Sequence, residues 1–159
     1  TVSSKSLISF AKDYSSRYWA DTNSSGWKGP SIQSKKRLNN GKSIKVNLKS
    51  ERSASRMVLL LPKESNLNSF NLGDLKIVTT LSGWGFTKGF YAIYLNGIYD
   101  KEVELTLNFD AKQKEIDGYL IDISTKLPSH LEELYKARSG IFSPVHRGDQ
   151  GVLIKQIKI

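Results

Sequence analysis

Cysteine is absent from the 159 residues, which excludes disulfides, thiolate metal sites and a cysteine nucleophile while remaining compatible with reducing and oxidising compartments alike. Histidine is nearly absent as well. Only His130 and His146 are present, too few for a di-metal hydrolytic centre, which needs several imidazole and carboxylate ligands converging on one point. Long apolar runs are missing: the longest aliphatic stretch is Met57-Val58-Leu59-Leu60-Leu61, whereas a helix crossing a bilayer needs about 20 such residues. The opening residues show no basic region followed by an apolar stretch, and a leader already removed would leave no trace. Acidic residues are in short supply, with 15 Asp and Glu against 24 Lys and Arg, for a formal charge of +9.

The cationic excess is concentrated. Lys28, Lys35, Lys36, Arg37, Lys42, Lys45, Lys49, Arg52 and Arg56 are opposed in their stretch only by Glu51. Such a stripe suits phosphate, anionic lipid or an acidic protein face. With 38% hydrophobic and 25% charged residues the composition is that of a globular chain. A domain of this length buries roughly 68–70% of its unfolded surface and can hold a core without staples.

Short stretches of period-two alternation, separated by Gly, Asn, Asp and Ser, dominate the rest. Ile44, Val46 and Leu48 alternate with Lys45, Asn47 and Lys49; Met57, Leu59 and Leu61 repeat the rhythm, as do Val103, Leu105, Leu107 and Phe109. Phe90 to Leu95 ends at Asn96-Gly97, a strong hairpin signal because both residues tolerate positive φ, so a further strand is expected soon after. Leu7 to Phe10 and Arg17 to Ala20 read as a hairpin, and Val152 to Ile159 as a closing strand. The polar stretch from Asp21 to Lys42 reads as a long surface loop. One helix is predicted after Pro128, where Ser129 and Glu132 have capping-box spacing and Leu131, Leu134 and Tyr135 form a stripe ending at Gly140. The pattern predicts a mainly β chain, an antiparallel β-sandwich with one short late helix, as a single domain over residues 1–159.

No catalytic or metal-ligating constellation emerges. His130 and Glu133 have i, i+3 helical spacing, but read as exposed first-turn residues, and Glu132-Glu133 as a solvated helix face. No Ser stands in a Gly-x-Ser-x-Gly elbow. Gly83-Trp84-Gly85-Phe86-Thr87-Lys88-Gly89 fits neither the dinucleotide fingerprint nor the P-loop, and a glycine-flanked Trp at a strand bend is the simpler reading. Arg147-Gly148-Asp149 reads as turn formers. Trp19, Trp27, Trp84, Tyr91 and Tyr94 are core-forming residues by default and a stacking platform as the alternative. The candidate binding surface is Trp27 and Trp84 with Lys35, Lys36 and Arg37. Lys45 and Lys49 fall on the outward face of their strand, where solvated lysine is the default.

The order of features resembles a known family. Tyr18-Trp19-Ala20 is followed by Trp27, by Ser53-Ala54-Ser55-Arg56 leading into an aliphatic strand, by Gly83-Trp84-Gly85, and by the Val103 to Phe109 strand. Then come Asp122-Ile123-Ser124-Thr125-Lys126-Leu127-Pro128, an Ala137-Arg138 helix end, and Ser143-Pro144-Val145-His146-Arg147-Gly148-Asp149 before the last strand. This series resembles the C-terminal soluble domain of multi-spanning, membrane-bound zinc aminopeptidases of the bacterial type, relatives of the vacuolar and endoplasmic-reticulum membrane metallopeptidases. The resemblance implies a noncatalytic accessory module on the periplasmic or lumenal face, structural or substrate-positioning in role. Zinc then belongs to the parent's peptidase domain, which is the expected partner together with peptide substrate, and membrane contact comes through the parent chain only. A high lysine content and a longer polar loop depart from the family pattern. The rival readings are a carbohydrate-binding module, which requires at least two coplanar exposed aromatics, and a basic surface for nucleic acid or anionic lipid.

Overall fold

The computed structural model describes residues 27–83, 85–125 and 150–159. Nine strands run through them: β1 (Ser31–Leu38), β2 (Ser43–Lys49), β3 (Arg56–Pro62), β4 (Leu67–Leu72), β5 (Leu75–Val78), β6 (Phe90–Asn96), β7 (Val103–Phe109), β8 (Asp117–Ser124) and β9 (Gly151–Lys158). They form a five-stranded sheet in the order β1-β2-β7-β4-β5 and a four-stranded sheet in the order β6-β3-β8-β9. Every pairing is antiparallel.

The alternation in the sequence decides which way each strand faces. In β2 and β7 the odd-one-out side chains Ile44, Val46, Leu48, Leu105 and Leu107 are at most 1% exposed, and they meet Met57, Leu59 and Leu61 of β3, Ile93 of β6 and Leu120 of β8 in one cluster. Residues of both sheets therefore share a single core, and the chain is a mainly β sandwich. Fully burying each such aliphatic side chain stabilises the fold by about 1.5–3 kcal/mol. The intervening Lys45, Asn47 and Lys49 stay half-buried on the outer face.

The four-stranded sheet departs from simple alternation. Val58 and Leu60 of β3 and Ile121 and Ile123 of β8 face away from the shared core, yet they are no more than 7% exposed and form a second apolar cluster with Phe90, Tyr119 and Ile154. β3 is thus apolar on both faces, as a five-residue aliphatic run allows and a half-wet strand does not.

Two expectations need correction. The Asp21 to Lys42 stretch is not one loop, because Ser31–Leu38 forms β1, paired with β2 from Ser31 opposite Lys49 to Leu38 opposite Ser43. Among the described residues β1 is the end strand of its sheet, with one neighbour and little to bury, so Gln33 to Arg37 are all exposed and the sequence carries little apolar signal. Asn96-Gly97 does not turn a hairpin either. Gly97 has φ of +70°, and the amides of Gly97 and Ile98 both donate to the Ser55 carbonyl, so the chain leaves β6 for the other sheet, where β7 pairs with β2 and β4. The expected Leu7 to Ala20 hairpin and the helix after Pro128 lie outside the described residues.

Leu59→Ala empties a site at the centre of the shared core and is expected to cost about 2–5 kcal/mol. Lys36→Ala, on the exposed edge, is expected to stay within about 0.5 kcal/mol. Urea unfolding followed by circular dichroism checks both.

Candidate functional site

The most demanding chemistry in the fold lies where β2 crosses to β3. Asp122, in the middle of β8, has an even-numbered, core-facing position beside Leu120 and is 0% exposed. An isolated carboxylate there would be strongly disfavoured, so its neighbours must supply charge and hydrogen bonds. The crossover does this with two side chains. Ser50 Oγ donates to Asp122 Oδ2 at 2.8 Å, and Arg52 Nε and Nη2 donate to Oδ1 at 2.8 and 2.6 Å.

Further bonds tie the guanidinium into three segments. Arg52 Nη2 also donates to the backbone carbonyls of Asp122 and Gly151, at 3.2 and 2.8 Å, and the Ala54 amide donates to Ser50 Oγ at 3.0 Å. Trp27 closes the assembly, its ring centroid 4.3 Å from the Arg52 guanidinium carbon in a cation–π contact. Glycine at 151 is required by this closeness, since a Cβ there would lie 2.5 Å from the Trp27 Cη2. Arg52 Nη1 finds no hydrogen-bond acceptor among the described residues, and the indole face is what meets the guanidinium instead. Both oxygens of Asp122 are engaged, so the arrangement is fitted to holding position rather than to moving a proton.

Of the residues singled out from the sequence, Trp27 has one ring face taken by Arg52 and is half-buried. Trp84 lies outside the described residues. Lys35, Lys36 and Arg37 come together on β1 and are all exposed. The register splits them between two faces: Lys36 stands opposite Lys45 on the outer face of the sheet, whereas Lys35 and Arg37 stand opposite the core residues Val46 and Ile44. Lys35 accordingly reaches across to the other sheet, its Nζ donating to the Lys158 carbonyl at 3.3 Å. Lys45 is paired with Glu104 at 2.6 Å, and Lys158 with Glu115 at 3.1 Å; among the described ion pairs none includes Lys35, Lys36 or Arg37. The Glu115 hydrogen bond, then the Asp117 charge, hold Lys158 above the usual lysine range.

The start of β1 is fastened by Glu51. Ser31 Oγ and Gln33 Nε2 donate to its Oε1 at 2.6 and 2.7 Å. The Ser31 hydrogen bond, outweighing the opposing effect of desolvation, holds this carboxyl below the usual glutamate range, helped by Gln33 and by the charges of Lys49 and Lys28.

Two shallow hollows of about 250 and 220 Å³ open on the outer face of the four-stranded sheet, one beside Pro62, Phe90 and Gln156, the other beside Arg56, Phe86 and Tyr94. Neither reaches Asp122 or the cationic edge. Among the described residues no three His, Cys, Asp or Glu side chains gather into a metal-binding group, and no helix there is long and apolar enough to cross a membrane. No family model, curated protein or solved structure matches the chain.

The buried network was missed by sequence reasoning, although a signal existed. Asp122 interrupts the apolar run Tyr119-Leu120-Ile121 and Ile123, and an acid inside such a strand calls for a buried cation. Asp122→Ala leaves Arg52 buried without its counter-charge and is expected to cost about 3–5 kcal/mol, whereas the double variant Arg52→Met with Asp122→Leu recovers most of that loss. Urea midpoints of the two variants provide the comparison. For Glu51 the folded pKa is depressed, so its stabilisation of β1 is present above the ordinary glutamate value and is lost as pH falls through the lower folded value. Glu51→Gln is expected to remove that acid-side dependence from the hydrogen-exchange protection of the β1 amides.

Proposed function

We propose that this chain is a noncatalytic β-sandwich module of a membrane-anchored zinc aminopeptidase, held against the acidic surface of the peptidase domain by its cationic edge strand. The observation that carries the reading is β1: an end strand on which Lys35, Lys36 and Arg37 stand exposed with no partner among the described ion pairs. Edge lysines discourage strand pairing between copies, and the same charges attract an acidic surface. The Arg52–Asp122 network supports this use, because it braces the loop from which Glu51 holds the start of β1. The resemblance to the C-terminal modules of that family supplies the identity of the partner and its periplasmic or lumenal location. Zinc and the peptide-cleaving residues belong to the peptidase domain on this reading.

The same exposed cations favour a second reading, a surface for nucleic acid or anionic lipid. Carbodiimide cross-linking of the full-length parent chain separates the two. Amide links from Lys36 to carboxylates of the peptidase domain are expected, and they should weaken as salt rises from about 0.05 to 0.5 M. Links confined to residues 1–159, or salt-sensitive binding of single-stranded DNA or phosphatidylserine vesicles in their place, would overturn the leading reading. So would zinc-dependent aminopeptidase turnover by the 159-residue chain that disappears with His130→Ala or His146→Ala.

A further inference from the structure

The outer face of the four-stranded sheet carries a cation that the fold leaves without a counter-charge. Arg56 opens β3, and its cross-strand partners are Asn96 of β6 and Ile123 of β8. Directly opposed residues share a face, and Ile123 belongs to the apolar cluster turned away from the shared core, so Arg56 and Asn96 stand on that outer face as well. Arg56 is half-buried, yet among the described residues no hydrogen bond or ion pair engages its side chain or that of Asn96. Arg52, Lys45 and Lys158, by contrast, all have carboxylate partners.

These two side chains border the hollow of about 220 Å³, whose lining also includes Val58, Phe86, Tyr94 and Ile123. The ladder sets Tyr94 opposite Val58, one row in from Asn96 and Arg56, so an aromatic ring and an aliphatic floor adjoin the guanidinium. Tyr94 is 51% exposed, and its hydroxyl shares a hydrogen bond with Thr87 Oγ1 at 3.2 Å, which in turn lies 2.7 Å from Ser82 Oγ. That chain holds the ring in place before any ligand arrives. Among the described residues no acid lines the hollow. The site therefore offers a guanidinium fork suited to a carboxylate, a carboxamide that both donates and accepts, and an apolar wall.

We propose that this hollow binds the C-terminal residue of a peptide that ends in an apolar side chain. Arg56 takes the terminal carboxylate, Asn96 the last peptide group, and Val58, Phe86 and Ile123 the side chain. Local charge complementarity favours this occupant, because the one ionised group in the lining is a cation and its planar fork matches a carboxylate in two parallel bonds. Size limits it in the same way: the hollow is smaller than the roughly 300–1,000 Å³ of sites for drug-sized molecules, which leaves room for about one residue. The proposal does not require the parent to be a peptidase, so either reading can fail alone.

The test is a titration of the ¹⁵N-labelled chain with N-acetyl-phenylalanine, followed by amide shifts. Saturable shifts are expected at Arg56, Val58, Asn96 and Ile123. N-acetyl-phenylalaninamide, which lacks the charge, should bind about tenfold more weakly or worse, and N-acetyl-alanine, which lacks the ring, about fivefold more weakly or worse. Arg56→Gln should weaken binding about tenfold while preserving the melting temperature, because it takes away no internal bond. Asn96→Ala, at an exposed position, is the second variant and should weaken binding about threefold. Shifts absent at millimolar ligand or centred on β1, equal binding of the acid and the amide, or unchanged affinity in Arg56→Gln would each overturn the proposal.

Discussion

A carboxylate with no exposed surface must have its counter-charge delivered to it, and at Asp122 that requirement organises one end of the sandwich. The cation cannot come from the neighbouring strands, since β3 and β9 present Met57 and Leu153 at that level. It comes from the crossover between the two sheets, through Arg52, with Ser50 on the second oxygen. The crossover is thereby fixed in path, β9 is held at its first residue through the Gly151 carbonyl, and Trp27 finds a flat charged surface to cover just before β1 begins. Replacing the pair by apolar side chains of similar size preserves stability in many proteins, so the value of such a network lies in the single arrangement it permits. Here that arrangement sets where β1, β3 and β9 start relative to one another.

The sequence disclosed those strands whose burial is one-sided or complete and hid those governed by position in the sheet. β2 and β7 announced themselves because both lie inside their sheet with one wet face, which forces strict alternation. β3, β6 and β9 were also visible from their apolar content. β1 was not, because an end strand with five exposed residues has the composition of a loop. β4 carries its apolar residues without a regular alternation, β5 is only four residues long, and β8 is broken by the acid that makes it interesting. Asn96-Gly97 gave a true local signal with a false partner: positive φ was needed, but the tertiary demand was a change of sheet. Of the candidate surface, the grouping of Lys35, Lys36 and Arg37 was readable as charge, while which of them take the outer face depended on a register shift in the β1–β2 ladder between Ile32 and Ser34 that no composition reveals.

The two ends of the five-stranded sheet solve the edge problem differently, and the difference is informative because they share one scaffold. β1 carries like charges that repel a second copy of itself. β5 carries a single lysine among Leu75, Ile77 and Val78, beside a hairpin turn that also leaves Leu72 in solvent. Selection against edge pairing, acting on the whole domain, would protect both. At β5 the protection is of another kind, a strand of only four residues with a lysine in it, too short to template a long ladder.

Stability should be graded across the fold in the same direction. β3 has neighbours on both sides and apolar side chains on both faces, so opening it exposes two clusters at once. Among the described residues β1 and β5 each have one neighbour, and they place only partly buried side chains such as Ile32 and Ile77 on the core, so separating them from the sheet costs less than opening β3. A surface meant to bind by charge gains from lying on such an element, because small local adjustments there cost little. The Arg52–Asp122 network then has a second consequence: by bracing the crossover next to β1, it confines that adjustment to the edge and keeps the centre of the sandwich unaffected.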